Sequence, residues 1–268
     1  MSDPVVLCAT DSRGVATVTL NRPEVNNAYN SDVIDTLIAT AGKLAVDDAV
    51  RLVVLRGNGR HFQAGADLKW LQEVSTQSPE INVEVSRHTT DAVRGLNEFP
   101  KPTIALVHGG CFGGGTGVIA ACDIVIAAED SIFSITEARW GVMAGPIFPQ
   151  LNARMGEQNV RRYALTCERF GAKRAHEMRL VHAVCPEGGL DQAAAPIIDA
   201  ILQGGPGALR ETKRLITDIA GLAVSDPLAE QLAQQHAAKR QTDEADEGLR
   251  SFVEKRDPAW YSGKGASA

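Results

Sequence analysis

Residues 102–130 read PTIALVHGGCFGGGTGVIAACDIVIAAED, and this stretch restricts the fold more than any other. PTIALVHG (102–109) and DIVIAAED (123–130) are short aliphatic runs that predict buried strands. Between them three consecutive glycines, Gly113, Gly114 and Gly115, lead into an apolar run that reads as a helix, with a fourth glycine at Gly117. RLVVLRG (51–57) predicts another buried strand, followed in turn by a loop of small residues and a helical run, HFQAGADLKWL (61–71). Short apolar strands alternating with helices predict an α/β core with a largely parallel sheet.

The flanking segments extend this pattern. VVLCATDSRGVATVTLNRPE predicts a hairpin with its turn at Asp11–Gly14 and a stop at Arg22-Pro23. From Ser31 to about Asp47, Val33, Leu37, Leu44 and Ala45 have helical spacing, with Ser31 or Asp32 as the cap. A long helix is expected over Asn82–Phe99, ended by Pro100. From about residue 150 the strand signals vanish and the sequence is helical and charged. The expected organisation is a core over residues 1–195 and a helical assembly region over 196–268.

Composition removes several classes of function. The chain has 268 residues, with 33 acidic against 27 basic, giving a net charge of −6 and no long basic tract; this argues against a nucleic-acid partner. No apolar run reaches the roughly 18–20 residues of a membrane span, and MSDPVVLCATDSRG has no leader-like apolar segment. A cytoplasmic protein with no membrane partner is expected. The five cysteines are scattered without a CxxC pair, which predicts reduced core thiols and no metal site. GxxxxGK[ST], GxGxxG after a strand, HExxH and GxSxG are all missing, and the six histidines lack ligand spacing. Any chemistry falls to backbone groups and carboxylates.

The two small-residue loops have two readings. As plain strand-to-helix turns they carry no function. Alternatively, one backbone N–H from each brackets a carbonyl oxygen as an oxyanion hole, helped by the helix dipole behind the glycines.

AGADLK (64–69), the GGG–helix–CDI run and FSITEARWG (133–141) together resemble the enoyl-CoA hydratase/isomerase (crotonase) superfamily. The resemblance extends from LNRPEVNNAYN (20–30) to FVEKRDPAW (252–260). It implies a spiral of ββα turns with two nearly perpendicular sheets, then a helical C-terminal region that forms a homotrimer or a dimer of trimers. It also implies an acyl-CoA substrate with its thioester oxygen held by the N–H groups of Ala66 and Gly114. Gly113 would lie beside it, and Ala64, Asp67, Leu68 and Lys69 would line the CoA channel. Lys69 reads either as a partner of CoA phosphates or as an exposed helix lysine. Phe252 and Lys255 either reach a neighbouring subunit's CoA or belong to a self-contained helix. No cofactor is implied; coenzyme A arrives as part of the substrate.

Family hydratases place two glutamates around the substrate's α and β carbons. Glu137 in SITEARWG matches one of them, with apolar Ile135, Trp140 and Val142 nearby. The other is replaced: the family's GGGxE is GGGTG here, so Gly117 stands where a glutamate is expected. Hydration with Glu137 as the only carboxylate, double-bond isomerisation with one base, and another enolate reaction all remain open, as does a non-catalytic acyl-CoA-binding role. RRYALTCERFGAKRAHEMRLVHAVCP (161–186) and FVEKRDPAW resemble bacterial hydratases of branched acyl-CoA breakdown, including the methylglutaconyl-CoA type, which makes hydratase the leading expectation. Ile147, Phe148, Trp70 and Trp140 are each candidates for the acyl pocket or for ordinary packing, with Gly117 shaping the same region.

Overall fold

The computed structural model describes residues 3–263. Its elements are β1 (Val6–Thr10), β2 (Val15–Leu20), α1 (Ser31–Val46), β3 (Leu52–Gly57), α2 (Leu68–Ser75), α3 (Pro79–Asn97), β4 (Thr103–Val107) and β5 (Gly110–Phe112). These are followed by α4 (Gly114–Ala121), β6 (Ile124–Ala128), β7 (Ile132–Ser134), α5 (Phe148–Met155), α6 (Glu157–Thr166), β8 (Phe170–Gly171), α7 (Ala172–Glu177) and β9 (Ala183–Cys185). Helices α8 (Leu190–Gln203), α9 (Pro206–Asp218), α10 (Asp226–Lys239) and α11 (Asp243–Glu254) complete the chain.

Two sheets result. The larger has the order β1-β2-β3-β4-β6-β9, parallel apart from the β1–β2 hairpin. Alternation along its strands sorts side chains to two faces. Val53, Leu55, Ala105, Val107, Val125 and Ala127 join the main core with residues of α1, α3 and α4. Leu52, Val54, Ile104, Leu106 and Ile126 pack instead against Leu190, Ala194 and Leu202 of α8. Because both faces are covered, these strands are continuous apolar runs.

The smaller sheet, β5-β7-β8, grows directly out of the larger one. After β4 the chain turns through Gly109, at φ +55°, and enters β5. Phe133 of β7 stacks on Phe170 of β8 with ring centroids 5.7 Å apart, and Tyr163 of α6 closes on Phe170 at 4.4 Å.

Three expectations are corrected. Strands persist past residue 150, as β8 and β9, but with two and three residues they are too short to show a period. The cap of α1 is Asn30, whose side chain accepts from the Val33 N–H, rather than Ser31 or Asp32. Helix α3 begins at Pro79 behind the Ser78 cap, earlier than Asn82.

The C-terminal helices are fastened by specific polar contacts. Arg51 donates to the carbonyls of Trp260 and Gly204, both at 2.8 Å. Glu244 accepts from the Gly207 and Ala208 N–H groups at the start of α9 and pairs with Lys239 at 2.8 Å. Lys213 of α9 reaches Asp123 at 2.7 Å, joining the helix to the end of α4. No residue of α10 is buried.

Candidate active site

The two small-residue loops are stitched to each other. The Gln63 N–H donates to the Gly110 carbonyl at 3.2 Å, and the Phe112 N–H donates to the Gln63 carbonyl at 2.9 Å. Gly65, at φ +85°, lies so close that a Cβ there would stand 3.0 Å from the Phe112 carbonyl oxygen. Only glycine meets both conditions.

The segment ahead of α1 holds the first loop from its other side. Buried Asn27 donates from Nδ2 to the carbonyls of Asn58 and His61 at 2.8 Å each. The Ala64 N–H donates to the Asn26 carbonyl, the Tyr29 N–H to the Gly65 carbonyl, and the Asp67 N–H to the Tyr29 carbonyl. Flanked by these bonds, the Ala66 N–H has no backbone acceptor among the described residues. Neither has the Gly114 N–H, which opens α4. Both N–H groups are left for an acceptor outside these backbone ladders.

Glu137 begins a short 3-10 helix, Glu137–Trp140, just after β7. Gly113 is at φ +50°, and a Cβ there would come within 3.0 Å of Glu137 Oε1 and of Thr136 Oγ1. Glu137 Oε2 is buried without a hydrogen-bond partner. Burial pushes the carboxyl above its ordinary range, with nearby backbone N–H groups of Glu137 and Thr136 pulling less strongly the other way. A desolvated carboxyl with an unengaged oxygen on a cavity wall is a candidate for proton transfer.

Gly117 is packed differently. A Cβ on it would overlap Cγ2 and Cβ of Ile147, whose own Cα would be 3.4 Å away. Ile147 is 3% exposed and belongs to the core, so an apolar side chain fills the space beside Gly117.

A cavity of about 1310 Å³ runs past these groups; Tyr29, Ala66, Gly114, Glu137, Trp140 and Ile147 all line it. Leu44, Phe99 and Val118 of the core also line it. Of the other candidates from the sequence, Ala64, Leu68 and Gly113 are also on its wall. Asp67 caps α2 through the Lys69 N–H and pairs with Arg22 at 3.3 Å, so its carboxylate is committed to the loop. Lys69 is exposed on α2. Phe252, 84% exposed, and Lys255 are on or just after α11, away from the cavity wall. Ile147, Phe148 and Trp70 serve both readings: Ile147 and Trp70 line the cavity, and Phe148 packs on the core.

Sequence reasoning missed Asn27 and Tyr29. Both sit within NNAYN, where consecutive left-handed residues, Asn26 at φ +55° and Asn27 at φ +58°, signal a turn built for position rather than for continuity.

A family model described as Enoyl-CoA hydratase/isomerase matches residues 10–263. The chain belongs to the enoyl-CoA hydratase/isomerase family. It is 33% identical to a putative enoyl-CoA hydratase of Thermus thermophilus over 244 residues, covering 91% of this chain and 96% of that protein. It is 30% identical to the mitochondrial Delta(3,5)-Delta(2,4)-dienoyl-CoA isomerase of Dictyostelium discoideum, covering 92% of this chain and 88% of that one. The crystal structure of an enoyl-CoA hydratase from Shewanella pealeana superposes with a TM-score of 0.91 at 33% identity, covering 96% of each chain. The fold is that of the enoyl-CoA hydratase/isomerase family, and the chain is an enzyme of that family. Among the described residues no helix is long and apolar enough to cross a membrane, and no cluster of three or more His, Cys, Asp or Glu is arranged to hold a metal ion.

Proposed function

We propose that this enzyme adds water across the double bond of a 2-enoyl-CoA, with Glu137 as its one catalytic carboxylate. The observation that carries this reading is the buried Glu137 carboxyl beside Gly113, whose Oε2 has no hydrogen-bond partner among the described residues, one residue from the Gly114 N–H. The Ala66 and Gly114 N–H groups receive the thioester oxygen, and negative charge develops there as water attacks the β carbon. Glu137 takes the water's proton and returns it to the α carbon as the enolate collapses. Water addition involves no change of redox state, so the only cofactor moiety required is the coenzyme A of the substrate. In the same reading the exposed apolar residues Leu249, Phe252 and Val253 on α11 form part of a contact between copies in a homotrimer or a dimer of trimers.

A second reading, one-base double-bond migration, is favoured by Ile147: an apolar wall fills the place beside Gly117 where the family carries a second carboxylate. Incubation with crotonyl-CoA and with a branched glutaconyl-type enoyl-CoA, monitored for both hydration and migration, distinguishes the two. Hydration that depends on Glu137 supports the first, and migration without water uptake replaces it with the second.

A further inference from the structure

The phenol of Tyr29 also converges on the glycine pair, beside Glu137 and Thr136. A Cβ on Gly113 would meet Glu137 Oε1 at 3.0 Å, and a Cβ on the next residue, Gly114, would meet Tyr29 Oη at 3.0 Å and Tyr29 Cε1 at 2.6 Å. The two side chains therefore close on adjacent residues of one loop. Tyr29 is on the cavity wall, and its hydroxyl engages none of the side-chain hydrogen bonds that organise the loops around it.

Its orientation is fixed from both ends. The Tyr29 N–H donates to Gly65 and its carbonyl accepts from Asp67, so its backbone brackets Ala66. Its ring meets Trp70 edge-on with centroids 5.9 Å apart. An aromatic side chain held this way, with a polar tip left open to a cavity, has its hydrogen-bonding capacity reserved for what enters the cavity.

We propose that Tyr29 is a further catalytic residue, whose hydroxyl holds the attacking water in place for Glu137. This rests on the hydratase reading. Ile147 leaves no carboxylate beside Gly117 to hold that water, and the Tyr29 hydroxyl supplies the second polar contact from the opposite loop. In the step itself, an O–H bond of water breaks as its oxygen bonds to the β carbon. The released proton moves to Glu137 and then to the α carbon, while Tyr29 keeps its own proton throughout. Burial, and secondarily the Glu137 charge, push the phenol up to about 12, so it remains an intact O–H donor across the neutral range. The same contact recognises the β-hydroxyl of the 3-hydroxyacyl-CoA in the reverse direction.

Tyr29→Phe keeps the ring, the Trp70 contact and the backbone bonds, and removes only the hydroxyl. Compared with wild type on a 2-enoyl-CoA, the variant is expected to lose about 10- to 100-fold in kcat for hydration, the size of one charge-coupled hydrogen bond at a desolvated centre, with KM changed by less than about threefold. Solvent-deuterium exchange into saturated acyl-CoA at the α carbon, which needs Glu137 and the oxyanion donors but no attacking water, is expected to stay within about twofold of wild type. Unchanged hydration in Tyr29→Phe, or exchange that falls in parallel with hydration, overturns the role in holding water. Glu137→Gln assayed alongside separates the two levels of the account. If Glu137→Gln collapses hydration and Tyr29→Phe does not, only the Tyr29 assignment fails; a wild type that exchanges the α proton but adds no water removes both.

Discussion

Ile147 occupies the space that any side chain at position 117 would need: a Cβ on Gly117 would overlap its Cγ2 and Cβ. The two positions are thirty residues apart in sequence and belong to different elements, α4 and the short 3-10 helix Gly145–Ile147. An apolar side chain thus fills this space, and α4 is free of any side chain at that point. The interlock seats Ile147, which lines the cavity, directly against the backbone of α4.

Gly117→Ala is expected to cost about 1–3 kcal/mol, the usual range for overpacking a filled core. Ile147→Ala alone is expected to cost about 2–5 kcal/mol through the cavity it leaves. The double variant should be clearly less destabilised than the sum, since the new methyl enters the space that Ile147 vacates. Urea denaturation of the four proteins measures this coupling, and strict additivity would show that the two residues do not share the space.

The raised pKa of Glu137 sets a pH dependence of activity and another of stability. As the proposed base, Glu137 must be ionised, so kcat/KM for hydration is expected to fall on the acid side with a midpoint above the ordinary value of 4.5. For stability, the folded protein holds this proton more tightly than the unfolded chain does. The resulting stabilisation is present below the unfolded value and lost as pH rises through the folded one. Glu137→Gln should therefore unfold at a higher temperature than wild type at about pH 8, with the gap closing toward about pH 4. Melting curves across that range test the sign; a gap that widens on acidification contradicts it.

Gly113→Ala places a methyl 3.0 Å from Glu137 Oε1 in a backbone conformation at φ +50° that suits glycine alone. Displacing the carboxyl and straining the loop that carries the Gly114 N–H is expected to lower kcat by about 10²–10³, comparable to loss of one oxyanion donor. Steady-state kinetics on the folded variant, with its melting temperature as control, checks this.

At the other end of the chain, Glu244→Gln should loosen the start of α9. Glu244 accepts from two N–H groups there and pairs with Lys239, which holds its carboxyl below the usual range despite opposing burial. A loss of about 0.5–2 kcal/mol is expected, without effect on kcat at low temperature. Hydrogen exchange of the α9 amides reads the change locally.

Much of this architecture was legible in the sequence because single elements carried their own signal. β3, β4 and β6 lie within RLVVLRG, PTIALVHG and DIVIAAED, since a strand covered on both faces must be apolar throughout. Glu137 was legible as a carboxylate among apolar neighbours in a family motif. The small sheet was not, because strands of two or three residues have no periodicity and form only when β5, β7 and β8 are brought together. Tyr29 was hidden for a related reason: nothing local distinguishes a tyrosine beside a helix cap until the loop carrying Gly114 arrives against it. The Gly117–Ile147 fit is likewise a property of two segments, and neither announces it alone.

The measurement that tests the central claim most directly is hydration of a 2-enoyl-CoA by wild type and Glu137→Gln at neutral pH. Wild type is expected to add water at the β carbon, and the variant to lose about 10²–10⁴-fold in kcat with its fold intact. Hydration that persists undiminished in Glu137→Gln would contradict the account, because the buried carboxyl beside Gly113 would then not be the group that moves the proton.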